Sequence, residues 1–521
     1  MFCEVFTFLA LVIVFIVYHV SRRKFSYWKE RKVPYLEPNA ILGNYGPFIL
    51  QRKYTGEVVQ EICQKFPNIP YFGVFYGTEP TLMIQDPDMI KTVMTKDFYY
   101  FSSRESSKYT SKEIFTQNLF FTYGDRWKVL RQNLTPLFSS SKMKNMFYLI
   151  EQCSHVFEGM LDKELKNSNT QGVRPLMARF TMDCIGTCAF GIDTQTMVQD
   201  SDENIFVKMG KEIFFESLFR GFTIVARSIW PAIFYGLGGR SFPKKVDIFF
   251  TNLMTGVFAE RQYKPTTRND FVDLILNWKT ANSITGDSMD NMKGGGKKVS
   301  LEVDDEILVA QCILFFAAGF ETSSTTLQYT LFELAKNTEA QNRVIEEIDE
   351  YLLRHNNKLR YECITELPYT EACFDEALRL YPVLGVLTRE VFEDYTLPCG
   401  AVIDKGVRVH IPVYHLHHNP DFFPDPEVFR PERFYGEEKL IIPYTYMPFG
   451  EGPRLCIGMR FAKMQMFAGI VTLLKKYRVE LAAGTPRALE FTPTTIVTQP
   501  KQLIKLKFIE REGWQQRLFN K

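Results

Sequence analysis

The residues of this 521-residue chain most able to do chemistry crowd into positions 449–458, Phe-Gly-Glu-Gly-Pro-Arg-Leu-Cys-Ile-Gly. Cys456 stands directly before a helical pattern of Phe461, Met464, Phe467, Ala468, Val471 and Leu474. Glycines 450, 452 and 458 let the backbone approach a bound group closely. A thiolate ahead of a helix start is stabilised by the positive helix end and by free N–H groups. That is suitable chemistry for holding a soft metal centre by one sulfur. A buried free cysteine in a glycine-rich turn is the plainer alternative, and spacing alone does not name a metal.

Two further constellations carry polar groups at helical spacing. Trp127 and Arg131 are four apart and share a face, offering an indole N–H and a guanidinium to an anion. An arginine lying over a tryptophan on a surface helix is the commoner arrangement for an isolated pair. Residues 318–323, Ala-Gly-Phe-Glu-Thr-Ser, lie inside the longest helical pattern, 302–334. Gly319 costs that helix about 1 kcal/mol relative to alanine. Thr322 can bond back to the Ala318 carbonyl or leave it free, and Glu321 is a carboxylate whose burial needs a purpose. A locally distorted helix lined by a hydroxyl and an acid can hold dioxygen and pass protons to it. A kinked core helix with a back-bonded threonine is the alternative.

These groups need elements to position them. The 302–334 pattern is ~50 Å long at 1.5 Å per residue. It is acidic in its first turns (Glu302, Asp304, Asp305, Glu306), as the macrodipole favours, and apolar nearly all round beyond, so it should run through the core. Short strands are expected at 71–76 and 81–84, a helix at 369–380 after Pro368, and a closing β-hairpin at 491–509. Residues 281–299 read as an exposed flexible loop, and His415, His417 and His418 as a polar turn before Asn419-Pro420. Glu376 and Arg379, at i and i+3, can pair.

Totals exclude some functions. Sixty-two Lys plus Arg against sixty Asp plus Glu leave a formal charge of +2, so no field points to nucleic acid. Ten cysteines are scattered without a Cys-x-x-Cys, which fits free thiols in a reducing compartment. Residues 5–20 are almost wholly apolar, with Glu4 before them and Arg22, Arg23 and Lys24 after. That charge order reads as a signal anchor over 1–22 with the bulk of the chain, 46–521, on the cytoplasmic side. Residues 23–45 read as a basic, proline-containing linker. The aromatic stretch from 205 to 242 could rest partly on a membrane surface.

The 449–458 decamer resembles the haem-thiolate signature of the cytochrome P-450 family, Phe-x-x-Gly-x-Arg-x-Cys-x-Gly, at every fixed position. Trp127-x-x-x-Arg131, the Ala318-Gly-x-Glu-Thr-Ser run, Glu376-x-x-Arg379 and 429–434, Phe-Arg-Pro-Glu-Arg-Phe, follow the family order. The resemblance covers roughly residues 30–512 and looks most like the insect microsomal families that handle xenobiotics.

It implies a mainly α fold with small β-sheets and a single N-terminal transmembrane anchor. Haem b would lie between the Thr322 helix and the Cys456 helix. By resemblance Cys456 is the axial iron ligand and Phe449 shields its sulfur. Trp127, Arg131, Arg389 and Arg454 hold the propionates, and Glu376, Arg379 and Arg433 form a buried scaffold cluster. Thr322 is then the proton-relay hydroxyl and Glu321 its acid neighbour. Residues 205–242 become the lid over the substrate opening, and Thr494 to Thr498 lie near substrate. Val383 and Gly385 stand where relatives often carry proline, which predicts a looser backbone.

The implied reaction inserts one oxygen atom of O2 into a lipophilic substrate. Electrons would come from NADPH-cytochrome P-450 reductase, or cytochrome b5, at the endoplasmic reticulum membrane. A reductase-independent haem-thiolate isomerase or dehydratase, and a non-enzymatic haem carrier or sensor, are the rival readings.

Overall fold

The 32-residue helix Asp305–Lys336 is the axis on which the other elements pack. The chain is seen in a computed structural model that describes residues 12, 15, 18–104, 113–199, 203–214, 217–268 and 270–519. The axial helix begins where the sequence sets a cap. The Asp304 carboxylate accepts from Ile307 N at 2.8 Å, and Asp305 and Glu306 follow in the first turn. Its Ile307, Leu308, Phe316, Phe320 and Leu327 are all buried, each such side chain contributing ~1.5–3 kcal/mol. Helices Val173–Ile185, Pro368–Leu380 and Met459–Leu474 pack directly against it. Gly319 makes one of these approaches possible, since a Cβ there would lie 2.8 Å from Ile185 Cδ1.

A four-stranded sheet flanks this helical body. Strands Tyr71–Tyr76 and Glu79–Ile84 pair antiparallel. The second runs parallel to Arg408–Ile411, which pairs antiparallel with Leu387–Glu390. This register sets Arg389 opposite Val409. Residues 24–45, expected as a linker, are seated on the sheet. Trp28 is fully buried with its indole N–H on the Val74 carbonyl at 3.1 Å. Gly73 N donates to Pro34 O at 2.7 Å, and Leu36 N to Gly73 O at 3.0 Å. Gly73 is open space for that indole, because a Cβ would meet Trp28 Cγ at 2.3 Å.

Three local expectations are corrected. Residues 283–302 form an antiparallel hairpin, Ser283–Asp287 with Lys298–Glu302, where a flexible loop was expected. Its polar, partly exposed strands carry little hydrophobic signal, and pairing to each other and to helix Gly124–Leu134 orders them. The 491–509 hairpin shrinks to a bridge between Phe491 and Pro500. Lys505–Glu510 instead joins a three-stranded sheet between Tyr477–Leu481 and Thr170–Gly172. The histidine run is a short helix, Val413–His417, with His417 fully buried and accepting from Met447 N at 3.1 Å. Burial holds its imidazole well below the usual value, so it is a neutral acceptor in the core.

The stretch expected as a lid contains helices Ile205–Phe214, Leu218–Ile229 and Pro231–Gly236. It leaves Phe219, Phe222, Ile233 and Leu237 exposed. Among the described residues one helix is long and apolar enough to cross a membrane, the mostly buried axial helix itself. Most of the expected 1–22 anchor lies outside the described residues; 18–24 are helical. The nine described cysteines are unpaired.

Candidate active site

Cys456 sits between the 3-10 turn Gly452–Arg454 and the helix Met459–Leu474. The loop is closed by Cys456 N on Phe449 O at 2.9 Å and Leu455 N on Gly452 O at 2.9 Å. Gly452 has φ +69°, and a Cβ there would lie 1.9 Å from the Met94 carbonyl oxygen. Glycine is therefore required both by conformation and by space. The opposing wall is the π-helical turn Thr92–Lys96, which no sequence motif announced.

The thiol is exposed by surface area, yet burial raises its pKa above the usual value. The Gly458 N–H and the Arg131 and Arg104 cations pull it down by less. The stabilisation expected at a helix start is present, and burial outweighs it. Both observations fit a sulfur that opens on an internal cavity. A metal there replaces the thiol proton outright.

The axial helix bares one stripe. Ala318 is exposed and Leu314, Gly319 and Thr322 are half-buried on a helix otherwise buried nearly all round. Positions 314, 318 and 322 share a face. Thr322 Oγ1 donates to Ala318 O at 2.8 Å. The expected local distortion is absent: 305–336 is unbroken α-helix. The groove is made by the small side chains at 318 and 319, while the hydroxyl satisfies the carbonyl without opening the turn.

Glu321 is 2% exposed. Its carboxylate is ion-paired with Arg174 and accepts from Gln499 Nε2 at 3.1 Å, which also donates to Thr325 Oγ1 at 2.7 Å. It borders a cavity of about 20 Å³, lined also by Phe214, Thr495 and Val497. That is room for about one water, and the buried Thr495 Oγ1 has no protein partner.

Arg104 and Arg131 act on the thiol, Arg389 and Arg454 join them in one cluster, and no described carboxylate pairs with any of the four. Burial is the main depressant of all four guanidinium pKa values, and Arg104, Arg131 and Arg389 each repel Arg454 as well. Arg389 is 2% exposed, lowered to about 9, and its Nε has no partner. Arg454 donates to Ser102 O at 2.6 Å and Thr122 O at 2.9 Å, and its guanidinium lies 4.4 Å from the Trp127 ring centroid. None of the four pairs with a described acid. Uncompensated buried cations cost several kcal/mol each, so the fold is built for an anion. A dianionic porphyrin bearing a thiophilic iron fits that donor set.

The cytochrome P450 family model matches residues 34–508. This chain belongs to that family. It is 36% identical over 512 residues to cytochrome P450 6B2 of Helicoverpa armigera, covering 98% of this chain and 99% of that one. Cytochrome P450 6B1 of Papilio polyxenes is 34% identical over 511 residues, at 96% and 99% coverage. Cytochrome P450 6k1 of Blattella germanica is 34% identical over 514 residues, at 98% and 97%. The chain is thus a haem-thiolate monooxygenase of insect type.

The scaffold cluster of this P450 is fully assembled. Glu376 takes two bonds from Arg379, both 2.8 Å, and one from Arg433 at 3.3 Å, and all three residues are buried. Arg379 also donates to His417 O at 2.8 Å, and Arg433 to Asp425 O at 2.9 Å. The 382–386 segment is tied where a loose backbone was expected. Thr498 N and Oγ1 bond to the carbonyls of Val383 and Pro382 at 3.0 and 2.6 Å. Gly385 gives way to Tyr54, whose hydroxyl would lie 2.2 Å from a Cβ. Sequence reasoning missed Arg104, Arg174 and Gln499, which stand in no motif and meet the site only through long-range folding.

Proposed function

We propose that Cys456 is the axial ligand of haem b in a membrane-anchored monooxygenase acting on lipophilic small molecules, xenobiotics foremost. The observation that carries this is the accessible Cys456 thiol beside a cluster of four arginines, none of which pairs with a described acid. Bound there, the haem supplies reductive activation of O2, with thiolate donation favouring O–O cleavage.

The chain's own residues divide the remaining work. Arg131, Arg389, Arg454 and the Trp127 indole N–H would hold the propionates, and Phe449 would shield the Cys456 sulfur. Thr322, its hydrogen committed to Ala318 O, presents a lone pair to the cavity. It holds a protonated oxygen or a water by accepting, and donates only after turning from that carbonyl. Glu321 draws on the water-sized cavity beside it and is the acid of the relay. Electrons come from an NADPH-dependent flavoprotein reductase, or cytochrome b5, on the cytoplasmic face of the endoplasmic reticulum. Residues 1–22 anchor the chain there, 23–45 lead into the fold, and the exposed lid residues Phe219, Phe222, Ile233 and Leu237 support contact with the same membrane.

The carbon monoxide complex of the reduced protein tests the ligand: a thiolate-type Soret band is expected, and its absence would sink the assignment. Thr322→Ala should retain that band while releasing reducing equivalents as hydrogen peroxide. An unchanged product yield per NADPH would remove the role given to Thr322.

A further inference from the structure

Glu113 is a buried carboxylate, 2% exposed, that no part of the reaction uses. It has no cationic partner among the described residues. Instead Oε1 and Oε2 accept from Ser241 N at 2.9 and 3.1 Å, and Oε2 also from Phe242 N at 3.1 Å. Those amides belong to the junction between the lid helix Pro231–Gly236 and the long helix Lys244–Glu260. Bonds to a carboxylate are roughly twice as strong as neutral ones, so the junction is pinned in position and direction.

The segment that Glu113 opens is itself fixed to the axial helix. Gln311, fully buried, accepts from Leu119 N at 3.0 Å and donates to Gln117 O at 3.3 Å. It stands seven residues before Ala318, ~10 Å along the helix. Aromatic contacts cross the same seam. Phe115 and Phe242 lie 3.7 Å apart by ring centroids, and the Arg227 guanidinium of a lid helix lies 5.6 Å from the Phe121 ring. Such aromatic contacts fill space and tolerate sliding, whereas a carboxylate caged by main-chain N–H groups does not.

We propose that Glu113 is a positioning residue that governs how fast ligands reach and leave the cavity, by tying the lid junction at 241–242 to the 113–121 segment on the axial helix. This rests on the haem-thiolate reading for the identity of the cavity, and on hydrogen bonds alone for the tie.

The test uses the full-length holoenzyme and two variants. Glu113→Gln keeps one carbonyl acceptor, and Glu113→Ala removes both. Hydrogen exchange at the Ser241 and Phe242 amides reads the tie, and stopped-flow binding of 4-phenylimidazole reads access. Glu113→Ala should speed exchange at both amides about tenfold and raise association and dissociation rates severalfold, with Glu113→Gln between it and the parent. In turnover KM should rise while kcat stays within twofold. Faster amide exchange with probe rates unchanged in both variants would reduce Glu113 to a structural brace and overturn the proposal. Unchanged exchange in Glu113→Ala would overturn it too. Failure of the haem-thiolate reading shows separately, in the parent's carbon monoxide spectrum.

Discussion

Cys456, Arg454 and Gly452 answer to three different constraints within five residues. The thiol stays accessible, the guanidinium spans to Ser102 and Thr122, and the glycine clears the Met94 carbonyl. Gly452→Ala should therefore abolish haem incorporation, seen as loss of Soret absorbance per protein, because a Cβ only 1.9 Å from a backbone oxygen finds no side chain that can give way. Arg389→Met should act with opposite signs in the two forms. The haem-free protein loses an unpaired buried cation and melts higher, by about 1 kcal/mol or more, while haem is held less tightly. The pH dependence follows from the same residue. Its folded pKa, about 9, lies below the usual 12.5, so the folded haem-free state disfavours the charged form. That penalty is full below about pH 9 and fades as pH rises toward the unfolded value. The melting gap between holo and haem-free protein should narrow as pH rises above about 9. Cys456, Trp127, Arg131 and Thr322 were legible in the sequence because each sits in a local pattern. Arg174 was not: it reaches Glu321 across 147 residues of chain, and nothing in Val173-Arg174-Pro175 marks it.

Elements were legible in proportion to their hydrophobic period and caps. The axial helix was read within a few residues because Asp304 caps it and its apolar face closes all round. The 283–302 hairpin was missed because only Ile284 and Gly286 of its first strand are buried. Its order comes from the helix that carries Trp127 and Arg131. The Asp125 carboxylate accepts from Ser288 Oγ at 3.0 Å and Met289 N at 2.6 Å, and Lys128 Nζ donates to Ser288 O at 2.9 Å. Asp125→Ala should cost about 1–3 kcal/mol and speed hydrogen exchange across 283–302. Retained protection there would show that strand pairing alone orders the hairpin.

At the scale of the molecule, two charge sets hold the site from opposite logic. The Glu376–Arg379–Arg433 cluster contains its own acid, shared by two arginines, and its guanidiniums are further bonded to carbonyls. Glu376→Ala would strand two buried arginines, and a loss of about 3–5 kcal/mol in thermal unfolding is expected. The arginines round Cys456 are unbalanced by design of the fold. Three of them were expected from the family resemblance, but that none pairs with a described acid is a property of the folded interior, where Arg104 joins them. The consequence is one of supply. A polypeptide whose interior is left with surplus positive charge until its cofactor arrives gains stability with cofactor concentration, about 2.7 kcal/mol at a hundredfold excess over Kd. The standing amount of this enzyme in a cell would then track how much haem the cell makes, with unfilled chains the first to be cleared.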